Sequence, residues 1–304
     1  MSGGWPWHAG EVELQAQLGV AARMAEIGPR MIRDAMPEQH RLFYAQLPFL
    51  VLAAVDGEGA PWATLLAGPP GFVRAEDPRS LRIDALPRPE DPAAAGFGAG
   101  AALGCLGIDL ATRRRNRVNG RVAARDASGL TLAVEAAFGN CPQYIHPRVV
   151  VAAPPGPATS ERGSGLDAAA RRQIAAADTL FVASYVDEHG DPGRRSADAS
   201  HRGGRPGFVR VDGDVLTIPD YGGNLHFNTL GNLRKNPRAG LVFVDFERGD
   251  LLQVSGPSEL VLTGLEIGRH PGAERLWRVE ARQVVRRRGA LTLRWRPAAS
   301  RGEP

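Results

Sequence analysis

The spacing of hydrophobic residues changes near residue 47. Before that point, apolar residues recur every three or four positions between residues 11 and 46, which predicts helices. Pro37 predicts the start of a second short helix at residues 38–46. From Leu47 onward, short apolar runs are separated by turn signals, and this pattern predicts strands. The strands predicted in the first half of the chain are 47–55, 60–67, 79–86, 103–110, 115–124 and 130–138.

The second half of the chain repeats this strand-rich texture after a break. Residues 154–165 are rich in proline and glycine and predict a linker, and a helix is predicted at 166–177. Only one further short helix interrupts the strands, at residues 228–235. Many strands and few helices predict a mainly β barrel rather than a doubly wound sheet. The strands predicted here are 179–186, 207–211, 215–218, 240–246, 251–262, 277–285 and 290–295.

An internal repeat relates the two halves. Residues 70–74, Pro-Gly-Phe-Val-Arg, recur 136 positions later as residues 206–210. The same offset relates residues 107–110 to 243–246 and residues 117–120 to 253–256. We therefore predict two split β-barrels that pack as a pseudo-dimer. The predicted domains are a helical extension at 1–46, a first barrel at 47–150, a linker at 151–165 and a second barrel at 166–304.

Composition narrows the class of protein. The formal charge of +4 over 304 residues is too small an excess to argue for nucleic acid. No apolar run is long enough to cross a bilayer, and the N-terminus lacks the apolar core of a signal peptide, so we expect a cytoplasmic protein. Two cysteines give no disulfide framework. The histidines His201 and His226 lack the partner spacing of a metal site.

Two polar, glycine-rich segments occur only in the second half. The first, residues 200–205, has the sequence Ser-His-Arg-Gly-Gly-Arg and could let a backbone approach an anion closely. The second, residues 222–232, leads into the predicted helix at 228, whose N-terminus would favour phosphate. Alternatively, the first segment is only a polar loop and the asparagines of the second only cap the helix. The basic run 113–115 is either a solvated strand end or a group that reaches the second barrel.

Residues 178–262 resemble the pyridoxamine 5'-phosphate oxidase-like family of FMN-binding split barrels. The resemblance lies in the segments 198–209, 216–224, 227–232, 236–241 and 251–256. The first half resembles the same family through Pro61-Trp62 and residues 70–73. Segments 113–120 and 138–145 look like hallmarks of a longer, tandem-barrel subgroup.

The resemblance implies FMN bound at an interface between two barrels. The cofactor contacts that it implies are Ser200, His201, Arg202, Gly203, Gly204, Asn224, Asn228, Thr229, Asn232 and Gln253. Residues 87–100 of the first barrel lack the corresponding cluster of Asn and Thr, so we predict one FMN per chain.

The expected function is an FMN-dependent oxidoreductase that acts with a small-molecule substrate or a redox partner protein. No side chain can be assigned as a catalytic acid or base. A non-enzymatic flavin-binding or haem-binding protein is the alternative, with His201 or His226 as the axial ligand of a haem. A barrel without cofactor that serves as an interaction module stays open as well, and so does a homodimer.

Overall fold

The computed structural model describes residues 6–154 and 157–298. Pro155 and Gly156 of the predicted linker, and both ends of the chain, lie outside the described residues. The helices are α1 (Ala9–Gln17), α2 (Ala21–Met31), α3 (Glu38–Gln46), α4 (Ala168–Ala176) and α5 (Asn228–Lys235). The predictions of helices at 38–46 and 228–235 are therefore confirmed residue for residue. No helix in the described part of the chain is long and apolar enough to span a membrane.

The first sheet curls around its own apolar core. Its seven antiparallel strands are β1 (Phe49–Val55), β2 (Pro61–Ala67), β3 (Val73–Asp77), β4 (Ser80–Ile83), β5 (Ala102–Asp109), β6 (Arg114–Arg125) and β7 (Leu130–Gly139). They pair in the order β2-β1-β5-β6-β7-β4-β3. Fully buried side chains such as Trp62 and Phe97 fill the interior, and helix α3 adds Tyr44.

The second sheet has the same strand order. Its strands are β9 (Thr159–Gly163), β10 (Thr179–Asp187), β11 (Arg195–Gly203), β12 (Arg210–Asp212), β13 (Val215–Tyr221), β14 (Arg238–Asp245), β15 (Asp250–Val261), β16 (Ala273–Glu280) and β17 (Gln283–Arg288). The order is β11-β10-β14-β15-β16-β13-β12. In addition, β17 pairs with β15, and β9 pairs with β17. Strands β8 (Arg148–Ala152) and β18 (Leu293–Pro297) form a separate pair. The predicted class, mainly β with two split barrels behind an N-terminal helical extension, is confirmed.

The two barrels pack against each other through a shared apolar cluster, to which β1, β2 and β5 contribute from one side and β10, β11 and β14 from the other. Two glycines permit the close approach. A Cβ on Gly104 would lie 2.6 Å from the backbone oxygen of Ala197, and one on Gly240 would lie 2.2 Å from that of Pro61. These two glycines are 136 positions apart, so the pseudo-dimer contact uses the same position of each barrel.

Three predictions of local structure need correction. The predicted strand 277–285 is two strands, because the chain breaks pairing at Ala281 and Arg282, whose N–H groups bond to the oxygens of Asp214 and Ser255. Part of the predicted linker is strand β9, which pairs with β17. The segment from Ser200 to Gly203, where no strand was predicted, is the end of strand β11, which is polar because it faces the other barrel. The domain boundaries remain a prediction.

Candidate functional site

A cleft lies between the barrels and opens to solvent. The first barrel lines it with side chains of β6 and with the segment 140–144 that follows β7. The second barrel lines it with the end of β11, the loop 220–225 and the first residues of α5. The cleft therefore needs both barrels.

The N-terminus of α5 faces this cleft without a side-chain cap. Its N-cap residue is Phe227, which has a φ of 60° and offers no acceptor, and Leu225 has a φ of 63°. Among the described residues, no acceptor contacts the N–H groups of Asn228, Thr229 and Leu230. Left-handed backbone at non-glycine residues is strained and clusters at ligand-binding sites. The uncapped N–H groups carry the positive end of the helix dipole, which favours an anion.

Arg117 crosses from the first barrel to this helix end. Its guanidinium donates to Ser200 Oγ at 2.5 Å, to Asn228 Oδ1 at 2.6 Å and to Asp198 Oδ1 at 3.1 Å. Thr229 donates its hydroxyl to the same Ser200 Oγ at 2.9 Å. Arg117 is buried, and its Nε has no partner among the described residues. A buried guanidinium with a free N–H at a helix N-terminus is an arrangement suited to an oxyanion.

A buried polar layer supports the floor of the cleft. Asp198 accepts hydrogen bonds from Asn119 Nδ2 at 2.7 Å and from Asn232 Nδ2 at 2.8 Å, besides that from Arg117. Asn232 also donates to Ser184 Oγ at 3.0 Å and is fully buried. Because three of these hydrogen bonds end on the charged carboxylate of Asp198, this layer fixes the position of Arg117.

A second basic group lies beside His201. Arg115 donates through Nε to the oxygen of Cys141 at 2.6 Å, and its Nη1 lies 3.1 Å from His201 Nδ1. Burial, then the charges of Arg115 and Arg202, holds the pKa of His201 well below its usual range. Burial and the charge of Arg202 lower the pKa of Arg115 to about 10, so that Arg115 is charged and His201 neutral at pH 7. A neutral His201 that accepts from Arg115 carries its proton on Nε2, which has no partner among the described residues.

Two tyrosines from opposite barrels form the mouth of the cleft. The rings of Tyr144 and Tyr221 lie 5.1 Å apart between centroids, and the Tyr144 hydroxyl donates to the oxygen of Gly222 at 3.0 Å. Gly203 must be glycine here, since a Cβ would lie 1.9 Å from the oxygen of Tyr144. Deeper inside, Asp220 accepts from Arg275 at 3.0 Å and also lies 3.6 Å from Arg202.

The N-terminal helix α1 covers the outer side of α5. A Cβ on Gly10 would lie 2.1 Å from the oxygen of Gly231, so the two helices cross at small residues. Glu11 is buried there and accepts from Asn228 Nδ2 at 2.6 Å and from the N–H of His8 at 3.0 Å. Burial, together with the charge of Asp198, raises the pKa of Glu11 to about 8. The helical extension is therefore part of the site rather than an appendage.

Most of the residues implied by the sequence line the cleft. Those that do are Ser200, His201, Arg202, Gly203, Asn224, Asn228 and Thr229. Gly204 lies outside and packs against Phe208, and Asn232 lies in the buried layer below. Gln253 lies elsewhere in the barrel interface, where it donates to the oxygen of Ala63 and to Asp91.

Sequence reasoning missed several residues of the site. Arg117 and Tyr144 lie in segments noted only as subgroup hallmarks, and Asp198 begins the first family-like segment without standing out from it. Glu11 has no sequence signal, because only its docking on α5 brings it here. His226, proposed as an axial ligand, packs between Trp7 and Phe138 outside the cleft.

No family model and no curated protein matches the chain. Several solved structures do match part of it. The FAD-binding protein from Mycobacterium smegmatis is 15% identical over 41% of this chain and 99% of its own, with a TM-score of 0.29. A protein from Corynebacterium glutamicum described as a provisional pyridoxamine 5'-phosphate oxidase is 14% identical over 42% of this chain and 98% of its own, with a TM-score of 0.30. HutZ, a haem storage protein from Vibrio cholerae, is 15% identical over 40% of this chain and 93% of its own, with a TM-score of 0.28. Likenesses of this degree assign no function, which has to be argued from the residues of this chain.

Proposed function

We propose that the cleft binds FMN and that the protein is an FMN-dependent oxidoreductase. The observation that supports this proposal best is the uncapped N-terminus of α5, which faces a cleft flanked by Arg117 and by the hydroxyls of Ser200 and Thr229. Helix N-termini of this kind bind phosphate groups. The segment resembles the phosphate-binding segment of the FMN-binding family named above.

The residues present fit an elongated polar cofactor. Buried polar atoms nearly always have partners in native proteins, yet Arg117 Nε, Arg202 Nε and His201 Nε2 have none among the described residues. They belong to side chains that line one cleft, so a single ligand could pair with them once these side chains turn toward it. An interaction module without cofactor would leave these groups unpaired at a cost of about 1–3 kcal/mol each.

Each end of the cleft has its own chemistry. Asn228, Thr229, Ser200 and Arg117 would hold the phosphate, while the end near Tyr144 and Tyr221 offers aromatic surface for a ring. Bound FMN supplies hydride or single-electron chemistry. The charged groups near His201 would orient the ring system through hydrogen bonds. We propose a small-molecule substrate or a redox partner protein as the second reactant, because the mouth of the cleft opens to solvent.

The visible spectrum of the purified chain tests this proposal. We expect flavin maxima and, after denaturation, about one released FMN per chain. Thr229→Val removes one hydroxyl from the phosphate end and should weaken FMN binding by roughly 10-fold. The matched control is Thr112→Val, which removes an exposed hydroxyl outside the cleft. A colourless protein that also fails to bind added FMN refutes the proposal.

A haem-binding role is the second candidate, and its support is confined to His201. Its Nε2 has no partner in the part of the chain that the structure describes, but the ring is buried between Phe181 and Arg115 and would have to move to reach an iron atom. Haem titration separates the two roles. A Soret band that disappears in His201→Ala would favour haem, whereas bleaching of bound flavin under anaerobic NADH or NADPH would favour the oxidoreductase.

A further inference from the structure

The first barrel contains a counterpart of the cleft. The register of the paired strands shows where it lies. On β5, Leu106 pairs with Arg117 of β6, and on β14 Val242 pairs with Gln253 of β15. Leu106 and Val242 are themselves 136 positions apart. Gln253 therefore occupies in the second barrel the position that Arg117 occupies in the first.

The strands that face these two side chains correspond in the same way. Gly68, just beyond β2, and Gly204, just beyond β11, each lie against the phenylalanine four residues further on, with ideal Cβ contacts of 2.5 and 2.6 Å. Thr64 and Ser200 each precede these glycines by four positions and are counterparts. Thr64 thus occupies in the first barrel the position that Ser200 occupies in the second.

A carboxylate fills the counterpart site. Asp91 is buried and caps the short 3-10 helix Pro92–Gly96, which packs on β1 and β2 as α5 packs on β10 and β11. Its oxygens accept from Thr64 Oγ1 at 2.5 Å, from the N–H of Ala93 at 3.0 Å and from Gln253 Nε2 at 3.0 Å. Arg287 Nη1 donates to it at 2.6 Å and supplies the balancing charge.

Three of these donors have counterparts in the open cleft. Thr64 corresponds to Ser200, Gln253 to Arg117, and the N–H of Ala93 to that of Thr229, again 136 positions on. The position of Asp91 itself is taken by Phe227, which has no carboxylate. In the first barrel these donors converge on a carboxylate of the chain. In the cleft, Arg117 donates to Ser200, Asn228 and Asp198, and the N–H of Thr229 has no acceptor among the described residues.

We propose that Asp91 is a built-in oxyanion that marks where the ligand's oxyanion binds in the cleft. The inference rests on the proposed function for the identity of that ligand. It assigns the oxyanion to Ser200 Oγ, the N–H of Thr229 and the guanidinium of Arg117. It also gives the reason for one cofactor per chain, because the counterpart site is already occupied by the chain itself.

The first test removes the internal carboxylate. Asp91→Ala should lower the melting temperature, and formate, a free carboxylate, should raise that of the variant by at least ~3 °C more than that of the wild type. Asp126→Ala is the control, because Asp126 is an exposed carboxylate that also accepts from Arg82 and Ser128. Asp91→Asn serves if the alanine variant fails to fold, with formate then expected to give no extra stabilisation. A folded Asp91→Ala that formate does not stabilise overturns the assignment.

The second test addresses the cleft with riboflavin, which lacks the phosphate of FMN. Arg117→Gln gives the cleft the residue of its counterpart and should weaken FMN by about 10- to 100-fold while changing riboflavin less than about 3-fold. Ser200→Ala should show the same selectivity with a smaller loss. Equal losses for both flavins place the oxyanion elsewhere and refute the inference.

The two tests fail separately from the proposed function. If the wild type binds neither flavin, the FMN proposal falls while formate rescue of Asp91→Ala still supports the built-in oxyanion. If neither Asp91 variant folds, the comparison of FMN with riboflavin decides alone.

Discussion

The docking of α1 on α5 predicts a pH dependence of stability that traces to Glu11. Its pKa is raised from 4.5 to about 8 by burial and by the charge of Asp198. Such a carboxyl binds its proton more tightly in the folded than in the unfolded chain. Folding therefore takes up a proton between these two pH values, and the free energy of unfolding falls as pH rises through this window.

The size of this effect follows from the shift. Each pH unit inside the window costs roughly 1.4 kcal/mol of stability, on the order of 3–5 kcal/mol in all. Glu11→Gln removes the titration and keeps an acceptor for Asn228. The unfolding free energy of the variant minus that of the wild type should therefore increase from about pH 5 to about pH 8 and then level off.

Urea denaturation of both proteins at several pH values measures this difference. Buried histidines such as His201 and His226, whose pKa values are lowered, contribute equally to both proteins and cancel. The imidazole Nε2 of His8 lies 3.6 Å from the carboxylate of Glu11, so His8→Asn is made in both backgrounds. Glu13→Gln is the matched control, since Glu13 is exposed on the same helix and Lys235 lowers its pKa. A difference that is flat or decreases with pH refutes a protonated, buried Glu11.

Three further predictions concern the fold and its thiols. Gly240→Ala should lower the unfolding free energy by about 1–3 kcal/mol, because its Cβ would meet the other barrel, whereas Gly98→Ala, with open space around it, should be near neutral in the same denaturation assay. Burial raises the pKa of the Cys105 thiol, so in the native protein a thiol reagent should label Cys141 and leave Cys105 unlabelled until denaturation; mass spectrometry of the labelled peptides checks this. Burial and the charge of Arg117 lower the pKa of His226 to about 4, so stability is lost as pH falls from 6.5 toward that value, and an NMR titration that shows a charged ring at pH 6 would contradict the packing around it.

Local sequence patterns predicted most helices and strands, because the spacing of apolar residues in a segment reflects which of its residues are buried. Pro37 and the residues after it define α3, and the asparagine-rich segment at 228 defines α5. Strand β11 escaped detection for the same reason. Its residues Ser200 and Arg202 are polar because they face a cleft rather than a core, and this hides the strand from a rule that expects apolar residues.

The composition of the site could be predicted only in part, because half of it comes from distant segments. The family-like segments identified Ser200 and Thr229, which both belong to the second barrel. Gln253 was assigned to the cofactor by position in its own barrel, yet the residue that reaches the cleft from that position is Arg117 of the other barrel. Each repeated position occurs once in each barrel, and only the packing of the two barrels decides which of the two residues faces the cleft.

The joining of both barrels in one chain has a consequence for how the cleft behaves on dilution. A site built between separate subunits disappears when the subunits dissociate, so its occupancy depends on protein concentration as well as on ligand concentration. Here the glycine contacts at Gly104 and Gly240 bring together two parts of a single polypeptide, so assembly of the cleft is intramolecular. Ligand affinity should accordingly be the same in nanomolar and micromolar protein.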